Sequence, residues 1–445
     1  MYQDTIAAIS TPIGEGGIGI VRLSGPEAGD IAKKIFSGKL ENRYLSYGFI
    51  IDPENHETID EVLLSFMPAP HTYTREDVVE INCHGGLMPL QKTLELVLRL
   101  GARLALPGEF SLRAFLNGRI DLAQAESVLD IIRAKTAASL RLAVEGLRGN
   151  LSRDIKAVRQ NILSTLAYIT ATIDFPEDEV QELNVGEHLV QAIHRLKTLL
   201  ATADAGIIYR QGIKTAIIGS PNVGKSSLLN LLLGTERAIV TCVPGTTRDT
   251  VEETINLSGI PFLLIDTAGI IHSKDILESL GMERSKRAIE QADLVLIVID
   301  ASETLTEADY DVLKLIEGKE SIVIANKSDL STIADTSSFS QPVVYTSALT
   351  GAGLENLRKV MVDVVVKGKV ISSDSPVVSN PRHKQALVSA LNHLELALQG
   401  LKAQTPAELV AIDLTGAVNA LGEITGESVS EELLEIIFNR FCIGK

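Results

Sequence analysis

The stretch IKTAIIGSPNVGKSSLLNLLL, residues 213–233, decides the fold of the central part of this chain. It consists of a short apolar run, a turn bounded by glycines and a second apolar run with helical spacing. The turn, Gly219 to Ser226, fits the pattern G-x-x-x-x-G-K-S, in which backbone N–H groups and the first turn of a helix surround phosphate groups. A glycine-rich turn without a ligand is the alternative, but the strand before it and the helix after it favour a phosphate site.

The residue types in this turn indicate a nucleoside triphosphate bound with magnesium. Lys225 would neutralise the β- and γ-phosphates, and the Ser226 hydroxyl is suited to bind Mg²⁺. We expect these residues of the turn to bind the nucleotide: Asn222, Val223, Gly224, Lys225, Ser226 and Ser227.

A second motif, Asn326-Lys327-Ser328-Asp329, indicates that the base is guanine. The Asp329 carboxylate only accepts hydrogen bonds, so it matches the N1–H and exocyclic amine of guanine, whereas adenine presents an acceptor at N1. Asn326 would tether neighbouring loops, and the stem of Lys327 would lie along the ring. A solvated polar turn is the alternative. A further loop would contact guanine O6 through its backbone, at Ser347, Ala348 and Leu349.

Two segments between these motifs have the residues of a nucleotide-state switch. Asp266-Thr267-Ala268-Gly269 ends an apolar strand, which would place Asp266 near Mg²⁺ through a water and the Gly269 N–H near the γ-phosphate. In Gly245-Thr246-Thr247-Arg248-Asp249, the Thr247 hydroxyl would complete the Mg²⁺ shell only when a triphosphate is bound. Together the motifs resemble the five G elements of the small-GTPase and translation-factor superfamily, over about residues 213–370, which implies GTP hydrolysis.

These motifs do not identify the residue that positions the attacking water. Ras-like proteins carry a glutamine directly after D-T-A-G, and this chain has Ile270 there, which can neither orient nor polarise water. A carboxylate that acts through a bridging water is chemically suitable. The polar candidates in the loop that follows are His272, Lys274, Asp275, Glu278 and Glu283.

The composition changes on either side of this unit, which predicts a multidomain protein. At about 150 residues per domain, 445 residues correspond to about three domains. Residues 1–120 are rich in glycine, proline and short β-branched runs, and they predict an α+β domain. Residues 121–210 and 371–445 have helical periodicity, clearest in the second segment at His383–Leu401 and Glu431–Phe441. Between the two segments lie apolar runs typical of buried strands, such as Leu294–Ile299. We therefore expect an α/β P-loop domain, residues 211–370, inserted into an α-helical domain that is formed from two segments.

The charge and the cysteine content exclude several kinds of protein. The 41 basic and 57 acidic side chains give a formal charge of −16, which opposes broad binding to nucleic-acid backbones. Cys83, Cys242 and Cys442 are odd in number and far apart, so neither a disulfide framework nor a zinc site is expected. Because there is no basic leader and no apolar run long enough to span a bilayer, we expect a cytoplasmic protein without a membrane segment.

Four segments outside the nucleotide motifs resemble the MnmE (TrmE) family of tRNA-modification GTPases. The resemblance covers essentially the whole chain. It implies an N-terminal folate-binding-like domain, a discontinuous helical domain and an inserted G domain, in agreement with the order inferred from composition. The segments are Gly14–Gly19, Glu80–Gly86, Asp121–Glu126 and Phe441–Lys445.

The resemblance implies a particular scheme for GTP hydrolysis. The family has a glutamate twelve residues after the aspartate of D-T-A-G, which orients the attacking water through a bridging water, and Glu278 is that position here. The family also uses K⁺ in place of an arginine finger, while two G domains associate across their switch regions. The matching K⁺ positions are Asn222, Thr241, Val243 and Thr246, where Asn222 is otherwise simply a turn residue. The loop residues expected beside the nucleotide are Thr241, Cys242, Val243, Pro244, Gly245, Thr246 and Thr247.

The resemblance also implies a site for 5-formyl-tetrahydrofolate or a related one-carbon folate. The matching positions are Arg22, Glu80, Arg119 and Lys445, and Arg119 replaces a lysine usual in the family, which conserves charge but changes donor geometry. Glu80 would accept from pterin N–H groups, and the cations would hold the glutamate tail. Ordinary surface salt bridges are the alternative. Cys442 is either a nucleophile or a small buried residue, and the second is favoured.

The implied function is that of a homodimeric, K⁺-stimulated GTPase that works with an FAD-dependent partner of the MnmG (GidA) type, in a heterotetramer or larger complex. The two proteins would install a carboxymethylaminomethyl-type group at C5 of the wobble uridine of certain tRNAs. The alternatives are a ribosome-assembly GTPase that shares only the G domain, and a GTP-regulated scaffold with vestigial hydrolysis. Because the net charge is −16, tRNA binding would need a local basic surface or the partner protein.

Overall fold

The computed structural model describes residues 4–175, 183–236, 253–265, 286–316, 318–337, 339–368 and 377–445. Within these ranges it confirms the predicted fold class, with an α+β N-terminal domain, a discontinuous α-helical domain and an inserted α/β domain. The boundaries at residues 120, 210 and 370 stay predictions. None of the helices in the described ranges is both long and apolar enough to cross a bilayer.

The N-terminal domain is a mostly antiparallel sheet with two helices packed on one face. Its elements are β1 (Ile6–Ile9), β2 (Gly16–Ser24), α1 (Ala28–Ile35), β3 (Leu45–Ile51), β4 (Thr58–Met67), β5 (Val78–Gly85), α2 (Leu87–Arg99), β6 (Arg103–Leu104) and α3 (Glu109–Leu116). The described strands have the order β3-β4-β5-β2-β1-β6. Apolar and polar residues alternate along β5, so Ile81 and Cys83 enter the core while Glu80 lies on the opposite face, paired with Arg22 of β2.

The helical domain is built from both predicted segments. Its elements are α4 (Leu122–Arg133), α5 (Ala137–Leu147), α6 (Asn150–Asp174), α7 (Val185–Ala201), α8 (Ala203–Gln211) and, after the G domain, α12 (Pro381–Lys402), α13 (Ala407–Thr425) and α14 (Glu431–Phe438). Apolar residues at helical spacing from both segments share one core, in which Ile162 and Leu196 pack with Leu394 and Leu414. Neither segment therefore buries its apolar face without the other.

The inserted G domain is a mixed sheet covered on both faces. Its elements are β7 (Ile213–Ile218), α9 (Lys225–Glu236), β8 (Glu253–Leu257), β9 (Ile260–Ile265), β10 (Leu294–Asp300), α10 (Glu307–Leu315), β11 (Ser321–Asn326), β12 (Val343–Tyr345) and α11 (Leu354–Val366). The described strands have the order β12-β11-β10-β7-β9-β8, in which β8 pairs antiparallel and the other pairings are parallel. Since β9 lies on one side of β7 and β10 on the other, the carboxyl end of β7 is the point at which open α/β sheets bind ligands.

The β8–β9 turn joins the G domain to the helical domain. The Thr136 hydroxyl, at the N-cap of α5, donates to the Gly259 carbonyl over 2.8 Å. Gly259 has φ +87°, and a Cβ there would lie 2.9 Å from the Ala138 Cβ and 3.5 Å from the Tyr209 ring of α8. Only glycine therefore fits the turn without strain, and the turn is held in a notch between α5 and α8.

Candidate nucleotide-binding site

The G-x-x-x-x-G-K-S turn lies between β7 and α9, at the carboxyl end of the sheet. Gly219 has φ +147°, and a Cβ there would lie 2.1 Å from the Val298 carbonyl oxygen, so the turn passes too close to β10 for any side chain. Gly224 has φ +97° and Asn222 has φ +63°, which bends the backbone around the space where phosphates would lie. The residues present fit a phosphate group.

Lys225 holds its ammonium over the same turn. Its Nζ donates to the carbonyls of Gly219 and Ser220, over 2.8 and 2.7 Å. Burial lowers the pKa of Lys225, because a charged amine is poorly solvated there. A nucleotide phosphate would supply negative charge beside this partly buried ammonium.

Asn326, at the end of β11, ties three segments together. Its side chain is buried; Nδ2 donates to the Val223 carbonyl over 2.8 Å, and Oδ1 accepts from the Ala348 N–H over 3.0 Å. The structure thus brings the P-loop, the Asn326–Asp329 motif and the 347–349 loop to one place. In the loop 347–349, whose backbone was predicted to contact guanine O6, the Ala348 N–H is bonded to Asn326 in this structure.

The remaining residues of the base motif surround the same end of the sheet. Lys327 has φ +64°, and its Nζ lies 2.5 Å from Asp300 Oδ2. The Ser328 N–H donates to the Thr346 carbonyl over 3.0 Å, and Asp329 is exposed. The Ser347 side chain is buried and Leu349 is exposed. The Asp329 carboxylate, which can only accept hydrogen bonds, is therefore exposed, and the nearby Lys327 ammonium is paired with Asp300.

Two carboxylates that were not predicted from the sequence contact residues of this site. Asp300 ends β10 and contacts Lys327, and Asp309 of α10 accepts from the Ser220 hydroxyl over 2.6 Å. Both also accept from a nearby serine or threonine, in the turns D-x-S at Asp300 and T-x-x-D at Thr306. The local turn patterns could have indicated the contacts of each carboxylate with the nearby serine or threonine. The contacts with Lys327 and Ser220 come from distant parts of the chain.

Many predicted switch and catalytic residues lie outside the described residues. Of the residues expected around the metal ions, the structure therefore describes Asn222 and Ser226, and the other assignments stay predictions. The positions outside the described ranges are Thr241, Cys242, Val243, Pro244, Gly245, Thr246, Thr247, Asp266, Thr267, Ala268, Gly269 and Glu278.

The predicted folate residues Arg22, Glu80 and Lys445 come together at the N-terminal sheet. Arg22 donates to Glu80 Oε1 from Nε over 2.8 Å and to the Gly444 carbonyl over 3.0 Å. Its guanidinium lies 5.8 Å from the centroid of the Phe110 ring. Burial and the Arg22 charge lower the pKa of Lys445, against the opposing effect of Glu80.

Arg119 and Cys442 occupy the surroundings of this cluster. Burial raises the pKa of Tyr73, and a hydrogen bond with Ser111 and the charges of Arg22 and Arg119 partly oppose that rise, so both cations act on one phenol. The favoured expectation of a buried Cys442 is wrong, because its side chain is exposed. Cys442 lies in the terminal turn after α14, where its carbonyl accepts from the Gly108 N–H while its side chain is exposed.

Comparison with known proteins gives matches along the whole chain. A model of the MnmE helical domain matches residues 122–442, and a model of the GTP-binding protein TrmE N-terminus matches residues 5–119. The chain is 51% identical over 452 residues to the tRNA modification GTPase MnmE of Chloroflexus aurantiacus, covering 100% of both chains. It is 48% identical over 462 residues to the protein of the same name from Desulforamulus reducens, again covering 100% of both. With the G domain of the T. maritima FeoB iron transporter it shares 31% identity, over 34% of this chain and 98% of that one, at a TM-score of 0.26.

Proposed function

This chain belongs to the MnmE family of tRNA modification GTPases, and we propose that it acts with an FAD-dependent partner of the MnmG type on the wobble uridine of certain tRNAs. The product would carry a carboxymethylaminomethyl-type group at C5. The observation that carries the proposal is that one chain combines the site formed by the P-loop and the base motif with a second site in its N-terminal domain, where the Arg22–Glu80 pair is joined to the C-terminal motif. A ribosome-assembly GTPase would need the first site but not the second.

For the hydrolysis step, we propose that Lys225 binds the β- and γ-phosphates and that Glu278 orients the attacking water through a bridging water. Mg²⁺ would be held by Ser226 and Thr247, with Asp266 acting through water. K⁺ would be held at Asn222, Thr241, Val243 and Thr246. Both cations, when bound, would neutralise charge that develops on the phosphates. GTP hydrolysis would drive rearrangement of the protein and would not enter the carbon chemistry.

For the one-carbon step, the cluster at Arg22 supports a folate carboxylate site. Arg22, Arg119 and Lys445 would hold the glutamate tail of 5-formyl-tetrahydrofolate or a related folate. The lowered pKa of Lys445 fits a site that gains from a bound anion. Glu80 would exchange its contact with Arg22 for the N–H donors of the pterin ring.

At the level of assembly, we propose a homodimer whose G domains associate across the switch segments in the presence of K⁺. The dimer would bind the FAD-dependent partner in a heterotetramer or larger complex. The charge of −16 favours contact with tRNA through a local basic surface or through that partner.

The deciding experiment is nucleoside analysis of tRNA from a strain that lacks this chain. Loss of the aminomethyl-type group from the wobble uridine is expected, and unchanged wobble uridines would reject the proposal.

Single-turnover GTPase rates in K⁺ and in Na⁺ test the cation assignment, and equal rates would contradict it. Substitution Glu278→Ala is expected to abolish turnover but to spare GTP binding. Binding of a folate by the full chain would support the proposed function, and the absence of folate binding would favour a ribosome-assembly role.

A further inference from the structure

Asp300 uses its two carboxylate oxygens for two different purposes. Oδ1 accepts from the Ser302 N–H over 2.9 Å and from the Ser302 hydroxyl over 2.6 Å, which closes a local turn. Oδ2 lies 2.5 Å from the ammonium of Lys327, which is on the neighbouring strand end. The first contact belongs to the loop after β10, and the second reaches the base motif.

The backbones that carry these two residues are held in register. Asp300 and Asn326 are partners across the parallel pairing of β10 with β11, and the Ala301 N–H donates to the Asn326 carbonyl over 2.8 Å. Asn326 in turn contacts the P-loop. The distance between the backbones of Asp300 and Lys327 is therefore determined by the pairing of β10 with β11.

Lys327 is restrained at both ends. Its backbone is in the left-handed region at φ +64°, and its ammonium is held by a carboxylate that is 10% exposed. The four-carbon stem therefore spans two anchored points, and much of its rotamer entropy is already lost without a nucleotide. Burial raises the pKa of Asp300, while Lys327 and Ser302 lower it further than burial raises it, so the carboxylate is charged and the ion pair is formed at neutral pH.

We propose that Asp300 is a positioning residue for the guanine base, which holds the Lys327 stem as a flat apolar support against one face of the ring. The proposal rests on the assignment of Lys327 to the guanine site. A preorganised support raises affinity because the bound nucleotide does not have to order the side chain. It acts on the base and not on the phosphates, so GTP and GDP gain equally.

The chain contains a matched control for this test. Asp335 closes the same kind of turn, accepting from the Ser337 N–H over 3.0 Å and from the Ser337 hydroxyl over 2.6 Å, but it is exposed and the described contacts give it no lysine. Asp300→Asn and Asp335→Asn therefore change the same turn chemistry. Only Asp300→Asn removes the negative charge that is paired with the Lys327 ammonium.

The experiment measures GDP binding to the full-length chain by calorimetry, and inhibition of GTP turnover by pyrophosphate, which engages only the phosphate pocket. We expect Asp300→Asn to raise the Kd for GDP about three- to tenfold, with the pyrophosphate inhibition constant unchanged. Asp335→Asn should leave both values unchanged. The double variant Asp300→Asn/Lys327→Ala should bind GDP no more weakly than Lys327→Ala does, because the carboxylate acts only through the lysine.

Three outcomes would overturn the proposal. If Asp300→Asn binds GDP as tightly as the parent while Lys327→Ala does not, the support does not depend on Asp300. If Asp300→Asn weakens pyrophosphate inhibition as much as GDP binding, the substitution disturbs the whole pocket and the role is structural. If Lys327→Ala itself leaves the GDP affinity unchanged, the assignment of Lys327 to the guanine site fails and Asp300 has no base to position.

Discussion

Ser220 connects the P-loop to a carboxylate outside the nucleotide motifs. Its hydroxyl donates to Asp309 Oδ1 over 2.6 Å, and its carbonyl accepts from Lys225. The other oxygen of Asp309 accepts from the N–H and hydroxyl of Thr306, which caps α10. One serine therefore links the position of the Lys225 ammonium to the start of a helix.

We expect Ser220→Ala to raise the KM for GTP about two- to fivefold with little change in kcat. The change removes one hydrogen bond that holds the P-loop, and it leaves the helix cap at Thr306 intact. Steady-state GTPase kinetics measure the effect. Ser337→Ala, which removes a hydroxyl from a surface turn, serves as the control. An unchanged KM for Ser220→Ala would show that the Asp309 contact does not influence the P-loop.

Cys83 and Cys442 should differ sharply in reactivity. Burial raises the pKa of the Cys83 thiol to about 11, so it holds little thiolate at pH 8, whereas Cys442 is exposed. We expect iodoacetamide at pH 8 to modify Cys442 long before Cys83, as measured by peptide mass spectrometry. Because the pKa of Cys83 is higher in the folded chain than its ordinary value of 9.0, its contribution to the stability of the folded state is fully present below about pH 9. That contribution is lost as pH rises towards 11. Equal labelling of the two thiols in the folded chain would contradict the burial of Cys83.

At the scale of elements, the turn between β8 and β9 matters because of its position in the chain. The hairpin spans residues 253–265, between the two segments in which the switch residues were predicted. Its turn is bonded to Thr136 and packs against Ala138. The hairpin therefore gives the G domain a direct contact with α5.

Thr136→Val should weaken this joint. The substitution removes the donor to Gly259 and the N-cap acceptor of α5, and we expect a loss of about 1–2 kcal/mol in the free energy of unfolding. Hydrogen exchange at residues 257–260 should rise as the turn leaves its notch.

Two comparison variants sharpen this test. Thr136→Ser keeps the hydroxyl and should behave like the parent chain. Thr415→Val removes a hydroxyl that bonds only within its own helix, to the Ala411 carbonyl, and should not change exchange in the turn. Equal exchange at residues 257–260 in Thr136→Val and the parent would show that packing holds the joint without the hydrogen bond.

Helices and strands were predicted correctly from the sequence where a single hydrophobic pattern dominated a segment. The apolar run at Leu294–Ile299 became β10, and the helical spacing from His383 to Leu401 became α12. The predicted helix from Glu431 to Phe441 ends earlier, at Phe438, because the terminal residues form turns against the N-terminal domain. That contact joins residues more than four hundred positions apart, and no local pattern contains it.

At the scale of the molecule, a buried ion cluster joins the two helical segments. Glu126 of α4 lies 2.7 Å from His383 Nε2 and 2.6 Å from an Arg382 nitrogen, both on α12. Burial raises the pKa of Glu126, but His383 and Arg382 lower it by more, so it falls well below its usual range. The helical domain on the two sides of the insertion is thus connected by charge as well as by its apolar core.

Glu126→Gln should destabilise the folded chain by about 3 kcal/mol at pH 7, because the partly buried Arg382 guanidinium loses its counterion and His383 loses its carboxylate partner. Since the folded pKa is depressed, the contribution of Glu126 is present above its ordinary pKa of 4.5 and is lost as pH falls below that value. Urea unfolding at pH 7 and at pH 4 should show the gap between variant and parent narrowing in acid. Glu145→Gln, at a partly exposed glutamate paired with Arg148, is the control. A gap of the same size at both pH values would contradict the depressed pKa.

The sequence by itself determined the three kinds of domain, the inserted order and the P-loop and guanine motifs, because periodicity, turn residues and motif spacing are local properties of the chain. Only the tertiary structure decided that Asp300 holds Lys327, that Asp309 holds Ser220, that Arg22 contacts the carbonyl of Gly444 and that Cys442 is exposed. Each of the three contacts joins two segments that are separated in the chain and meet when apolar faces are buried. The local sequence around Asp300 or Asp309 indicates its nearby serine or threonine partner, but its distant partner is determined only by that packing.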